Sequence, residues 1–584
     1  MNPENDLLDY YRDEIAYLRV QGGEFAARYP KIAQRLLLSA SESPDPHTER
    51  LMESFAFLSA RVHRDIDSEF PAISGALLES TCPNLVHPVP SLSIAQMDLN
   101  PSQGKVTAGL KVPRDTGLWA FAASGQTCRF KTAAEVELWP LRISRVALEQ
   151  ERMLKLSFEA VGGVDVSELT LEKLAIHLSG DLLVTMPLHD LLVSGLESIE
   201  LLTGSGNTHE IGPSKLAELG HGLDELAVPN PRNGHPAYAL LQQYFSQPRL
   251  FQFFELSGLK GLLGTGKTFS IRLVFNRASP TLQNLSAENF KLGCVPIANL
   301  FEQTSEPITL TQKEYEYRLI PDFQREDTVE IHSVQSIFVT DPEIERPIVI
   351  PNVFAGADES GESDVFWTSR REVSLRTDMT GSDVYLGLVN NLDEPKLPSS
   401  PVIYAKTLCT NRRLAEMVPA GTKLVGQNIS TSIAIKNLYQ PSPQEPPKVG
   451  KRALWNLVSI LRLNHQSILD STHGMEHLKD LLMLFAGDSA SNQGQVRGIK
   501  SLITKPATLR KGNDVWRGVC TGTDIAIEFD DDAFVGASPL LFSRVLLEFL
   551  SLYTTVNSFV RLTVYRRGQI WASWPALGGG QCVM

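Results

Sequence analysis

Residues Gly261 to Thr268, GLLGTGKT, match the phosphate-loop pattern GxxxxGK[ST]. In such a loop, backbone N–H groups and the Lys267 ammonium would cradle phosphates at a helix N-terminus, with Thr268 on magnesium. A nucleotide-binding assembly factor working through Gly261–Thr268 is therefore one reading of the chain. That chemistry requires a helix directly after the loop. Here Phe269, Ile271, Leu273 and Phe275 alternate with Ser270, Arg272 and Val274, and a period of two predicts a strand. A Gly-rich connection between strands is the expectation.

His473, Glu476 and His477 spell HxxEH, the order of an inverted zinc-peptidase motif. A zinc hydrolase would need both histidines on one helical face, the glutamate as general base and a third ligand. Gly474 interrupts the motif and the apolar pattern starts near Met475, so His473 is expected before the helix, with both histidines facing solvent. Asp530, Asp531 and Asp532 could attract a hard cation, but they lack the alternating oxygen ligands of a calcium loop and read as a solvated strand end. The pairs Arg370–Arg371 and Arg566–Arg567 are too short for a nucleic-acid footprint. The six cysteines, Cys82, Cys128, Cys294, Cys409, Cys520 and Cys582, are scattered without a CxxC pair, which predicts reduced and mostly buried thiols. No catalytic, cofactor or metal residue is predicted.

The stretch that organises the rest is Asp45 to Pro71, DPHTERLMESFAFLSARVHRDIDSEFP. Asp45 can cap a helix, Pro46 suits its first position and Pro71 supplies a stop. Leu51, Phe55, Leu58, Val62, Ile66 and Phe70 recur at steps of four or three, one apolar stripe on a helix of roughly 37 Å. Charged residues such as Arg50, Glu53, Arg61 and Asp65 lie off the stripe. The helix needs a partner on one side, and that partner is either its own bundle or another chain.

Ahead of it, Leu8, Tyr11, Ile15 and Leu18 form a first helical stripe broken near Gly22 and Gly23, and a short helix follows Pro30. Ile73, Leu77 and Leu78 suggest one more helix, and Pro83, Pro88 and Pro90 mark a boundary. Residues 1–90 are thus a helical region. Residues 91–265 read as β-rich with helical insertions at Leu182 to Leu192 and from Pro236; 266–438 read as a second β-rich domain holding an acidic mobile loop, Ala355 to Asp364. Tyr439 to Lys451 is the best linker candidate. Residues 452–584 alternate helix and strand as an α/β domain; Ser538 and Pro539 start a helix, and a closing hairpin turns through Arg566, Arg567 and Gly568. The fold class is α+β and multidomain.

With 584 residues the chain exceeds one hydrophobic core. Apolar residues at 42% and charged residues at 21% describe an ordinary globular chain, and a net charge of −13 argues against a general nucleic-acid or anionic-lipid surface. No window holds the roughly 20 apolar residues of a spanning helix, and the acidic start lacks a signal-peptide pattern, so a cytoplasmic location is expected.

Several stretches carry a family resemblance. They are YYRDEIAYLRVQGGEFAARYPKIAQRL (Tyr10 to Leu36), DPHTERLMESFAFLSARV, HPVPSLSIAQ, PAYALLQQYFSQPRLFQFFELSGL, NFKLGCVPIANLFEQTSEPITL and VLLEFLSLYTTVNSFVRL. In order and over the whole chain they resemble TssF, the baseplate subunit of the bacterial type VI secretion system. CPNLVHP at Cys82 to Pro88 and the tail GGGQCVM depart from the family pattern. The resemblance implies a non-enzymatic structural subunit of a phage-baseplate-like wedge. Its implied partners are TssG, with two TssF copies per TssG, TssK and TssE; six wedges surround the VgrG spike and support sheath and tube assembly at the inner-membrane complex. It also implies that helices from different chains share a bundle. The face Leu51, Phe55, Leu58, Val62 and Ile66 is accordingly the expected partner-binding surface, in cis or with TssG.

Overall fold

The computed structural model describes residues 3–35, 46–100, 106–122, 125–231, 234–311, 313–340, 347–353, 365–374, 376, 381–390, 402–430, 432–448, 473–510, 519–556 and 558–579. The acidic stretch at 355–364, residues 452–463 at the start of the expected α/β domain and Cys582 lie outside them.

Three helices open the chain: α1 (Pro3–Arg28), α2 (Pro30–Arg35) and α3 (Pro46–Thr81). Two expected breaks are absent. Helix α1 runs through Gly22 and Gly23, because an interior glycine costs only about 1 kcal/mol relative to alanine. Helix α3 runs through Pro71 and absorbs the separate helix expected at Ile73 to Leu78. A proline inside a helix costs about 3 kcal/mol. Packing beyond it offsets that cost: Leu78 and Cys82 are fully buried, and His87 Nε2 donates to Glu79 Oε1 at 2.9 Å.

The proline-rich turn after α3 is core, not surface: Leu85, Val86 and Val89 are buried. Its backbone is matched by the other proline-rich stretch. Val89 and Glu445 exchange N–H···O bonds of 2.9 and 3.1 Å, Ser442 N–H donates to Leu92 O at 2.8 Å, and Lys448 N–H to Leu85 O at 3.2 Å. The described part of the expected linker, 439–448, is therefore docked along 85–92. Two segments poor in donors satisfy each other where neither could join a regular ladder.

Strand pairing ignores contiguous sequence blocks. Six strands close a barrel in the order Leu92–Leu99, Cys294–Ala298, Thr127–Thr132, Gly117–Phe121, Lys423–Gly426, Ile433–Asn437. Alternation points Met97, Leu118, Ala120, Phe130, Ile297, Leu424 and Ile435 into its core. A second unit combines a five-stranded sheet with a four-stranded one and helix α4 (Leu182–Gly195) around Phe158 and Phe269, whose rings stack at 4.9 Å. Strand Thr268–Phe275 is central there, between Met153–Ala160 and Leu196–Thr203. Its pairing thus crosses the border expected at 265/266. A third core lies between the sheet holding Glu330–Thr340 and Val402–Thr410 and the sheet of Glu316–Leu319, Ser382–Asn390 and Val365–Val373.

Helix α5 (Pro236–Ser246) packs on the C-terminal unit, which holds α6 (Gly474–Ala486), α7 (Ala490–Arg497) and α8 (Pro539–Tyr553). Strand Val519–Phe529 runs parallel to Ser558–Arg566 with α8 as the crossover, a βαβ unit. The expected cap is present: Ser538 Oγ accepts from Leu541 N at 2.8 Å, and it also donates to Asp190 on α4. Phe542 stands among Tyr244, Phe245, Phe529 and Phe534. The closing hairpin turns with Arg567 and Gly568 in the left-handed region, φ 52° and 75°, as a two-residue turn requires.

Burial also sets an acid response. His177 is 1% exposed; its Nδ1–H donates to Gln252 O at 3.0 Å and Nε2 lies 3.2 Å from the Tyr439 hydroxyl. Burial pushes its pKa from 6.5 down to about 3, and His221 is pushed down to about 3 for the same reason. The unfolded chain takes up these protons first. Their stability contribution is complete above the ordinary value and is lost as pH falls from about 6.5 towards 3, at about 1.4 kcal/mol per pH unit per group. Asp190, raised by burial to about 6, works in the opposite direction below that pH. Melting temperatures between about pH 7.5 and about pH 5 should fall less steeply in His177→Asn than in the parent chain. Parallel curves would refute the assignment to His177.

Candidate partner-binding surface

The phosphate-loop pattern folds as the alternation predicts. Gly261, Gly264 and Gly266 take left-handed φ values of 75°, 72° and 117°, and the strand begins at Thr268. The Gly266 N–H points at the Asp165 carboxylate, 3.1 and 3.0 Å from its two oxygens. A carboxylate therefore occupies the place a phosphate would need, Lys267 and Thr268 are exposed, and no helix dipole follows. The nucleotide reading through Gly261–Thr268 fails on this geometry. Asp165 had no signal in the sequence, since it lies 101 residues away.

His473 is the residue before α6, as expected, and its Nδ1 lies 3.8 Å from Glu476 Oε2. His473 is exposed and His477 half-buried, with ring centres 6.3 Å apart. Among the described residues, no three His, Cys, Asp or Glu side chains gather as a metal-ligand set. The aspartate run is answered by cations: Asp530 meets Lys500 at 3.1 Å, and Asp531 accepts from Arg566 Nε at 3.0 and 3.1 Å. Cys82, Cys128, Cys294 and Cys409 are buried and unpaired. Burial pushes the thiols of Cys82, Cys128 and Cys409 up to about 12, far from a reactive thiolate.

The helical stripe behaves differently from a core. Leu51 is 72% exposed, Phe55 60%, Leu58 58% and Val62 55%; the Ile66 and Phe70 side chains lie outside the described residues. What α3 turns towards α1 is Ala56 and Ala60, both fully buried. The helices run antiparallel: Glu14 accepts from Ser59 Oγ at 2.9 Å and pairs with His63 at 2.5 Å, while Arg19 meets Glu49 at 2.6 Å. At about 100° per residue the Leu51–Val62 stripe sits roughly 150° around α3 from the alanine line. So the packing inside this chain uses the small residues, and the large ones face outward. The alanines at i and i+4 were the signal in the sequence for this seam. Helix α1 adds Tyr17 and Val20, each 60% exposed. Scattered apolar side chains are normal on a surface; here four large ones stand in one row on one helix face.

The fold of this multidomain α+β chain is found in two solved assemblies. It matches a chain of the type VI secretion system TssK-TssF-TssG baseplate subcomplex with a TM-score of 0.74 and 22% identity, covering 90% of this chain and 98% of that one. It matches a chain of the type VI secretion system baseplate complex with a TM-score of 0.57 and 20% identity, covering 99% and 100%. A curated relative, "Type VI secretion system component TssF1" of Pseudomonas aeruginosa, is 29% identical over 97% of both chains. The profile described as "Type VI secretion system, TssF" matches residues 3–581, and the chain belongs to that family. No helix among the described residues is long and apolar enough to cross a membrane.

Proposed function

We propose that this chain is a structural, non-enzymatic subunit of a type VI secretion baseplate wedge. Two copies join one TssG, and TssK and TssE complete a wedge. Six wedges encircle the VgrG spike, in the cytoplasm at the inner-membrane complex, and support sheath and tube assembly. The family membership sets the system, and the outward stripe of Leu51, Phe55, Leu58 and Val62 is the observation that carries the role of this chain within it. In this reading the stripe, extended through Ile66, docks on helices of the TssG-type partner and completes a bundle that α1 and α3 leave open on one side. Burying such a row removes apolar surface from water, which is the dominant favourable term in association. Native mass spectrometry of the chain co-expressed with the TssG- and TssK-type subunits of the same secretion system tests it. The expected result is a complex with two copies of this chain per TssG. A chain that stays alone in the presence of both would overturn the reading.

A further inference from the structure

We infer that Glu79, at the base of α3, is the counter-charge that latches this helix to the third core, so that α3 and the strand Val365–Val373 move as one body. The inference is independent of what the Leu51–Val62 stripe docks on. Helix α3 packs against that strand although the two are far apart in sequence. The junction between them is polar. Glu79 Oε1 accepts from His87 Nε2 at 2.9 Å, and the His87 ring lies 5.2 Å from the ring of His332 on strand Glu330–Thr340. Arg371, on Val365–Val373, donates to the His332 carbonyl at 2.7 Å. It also donates to Ser382 Oγ at 2.7 Å, and that hydroxyl donates to Glu330 Oε1 at 2.6 Å. Arg412 lies 3.8 Å from the other oxygen of Glu330.

His87, His332, Glu330 and Arg412 are buried; Arg371 and Glu79 are half-buried. Among the described residues, two guanidinium groups thus share this junction with one carboxylate from the third core, and Glu79 is the second carboxylate. Burial holds the His332 pKa well below its ordinary value, so its ring is a neutral spacer. Burial also pulls the Arg371 pKa down, and Glu330 and Glu79 oppose that pull. Burial works against the Glu79 carboxylate in turn, yet His87 and Arg371 hold its pKa below the usual value. The two charges therefore sense each other across the junction. Charges withdrawn from water need their partners, and separating them from one side leaves the other uncompensated. Swinging the base of α3 away from the strand is opposed on both sides at once, whereas a purely apolar contact could slide. Leu78 and Cys82, buried beside Glu79 in a different core, fix the helix rotation that presents it. A displacement imposed on the N-terminal end of α3 is passed through this latch to Val365–Val373 and, by way of Ser382, to Glu330.

Hydrogen–deuterium exchange on the full chain carrying Glu79→Gln tests this, because the amide keeps an acceptor for His87 and removes only the charge. Amides of 78–87 and of 366–373 should both exchange at least about 10-fold faster than in the parent chain, with those of α8 unchanged. Faster exchange confined to 78–87, or unchanged rates in both segments, would overturn the inference. A uniform rise that includes α8 would mean global destabilisation and would count against it equally. Arg371→Gln, alone and combined with Glu79→Gln, closes a double-mutant cycle. Coupled charges make the acceleration in the double variant smaller than the product of the two single accelerations; a plain product would refute the latch. Should Arg371→Gln unfold the third core, the single Glu79→Gln comparison still decides.

Discussion

A chain carrying Phe55→Glu and Leu58→Glu should unfold at the temperature of the parent chain but should no longer enter a complex with the proposed TssG-type partner. Both halves follow from exposure. Phe55 and Leu58 are 60% and 58% exposed and touch no core of their own chain, so their replacement changes folding by no more than about 0.5 kcal/mol. Across an interface, truncation of central apolar anchors costs about 2 kcal/mol or more each. A buried carboxylate adds an unpaired charge to that loss, so affinity should fall by at least about 1000-fold. Co-purification and thermal unfolding, run side by side, check the two halves separately. Ala56→Glu is the contrasting variant, because it strikes the α1–α3 seam itself. Wild-type complex yield from the double variant would remove the stripe from the interface.

Glu330→Ala should destabilise the central region by about 3–5 kcal/mol, the range for breaking a buried ion pair from one side. Glu330 is 1% exposed. Its Oε1 accepts from Ser382 N and Oγ at 2.8 and 2.6 Å, and its Oε2 accepts from Gln444 Nε2 at 2.7 Å and lies 3.8 Å from Arg412 Nη1. The network continues from Ser382 to Arg371, which donates to Ser382 Oγ at 2.7 Å and to the carbonyls of Ile331 and His332 at 2.8 and 2.7 Å. Removing the carboxylate leaves Arg412 and Arg371 with less compensation where water cannot replace it, and removes three hydrogen bonds. The packing around it leaves no slack: Gly381, at φ 140°, lies so close that a Cβ would sit 2.9 Å from Glu330 Oε2. Glu330→Gln keeps shape and acceptor but not charge, and should lose less. Calorimetry of the three chains decides the matter; a loss below about 1 kcal/mol for the alanine variant would mean that the charges are not mutually required.

The strand at Thr268–Phe275 and the loop before it differ in how far they could be foreseen. The strand after Gly261–Thr268 is legible because alternation is local and Phe269 to Phe275 obey it. The carboxylate that fills the loop is not, because nothing near the loop mentions Asp165. The same division runs through α3. Its start at Pro46 and its stripe are written in residue spacing. Its passage through Pro71 depends on Leu78 and Cys82 meeting a core assembled from residues as distant as Val564. Likewise the border expected at 265/266 follows a change of texture, whereas Thr268–Phe275 pairs back across it.

By itself the sequence determined what short-range physics determines: the long amphipathic α3, the Ser538 cap and Pro539 start of α8, the hairpin at Arg567–Gly568, and strands wherever apolar residues alternate. The ordered family-like stretches added membership. Tertiary structure alone decided which strands close the barrel, that the two proline-rich segments pair, and which side of α3 faces its own chain. A period of 3.6 defines a stripe but not its destination. Whether Leu51, Phe55, Leu58 and Val62 are core or surface depends on what the rest of the chain brings to them, and here it brings Ala56 and Ala60 to the seam and leaves the stripe open.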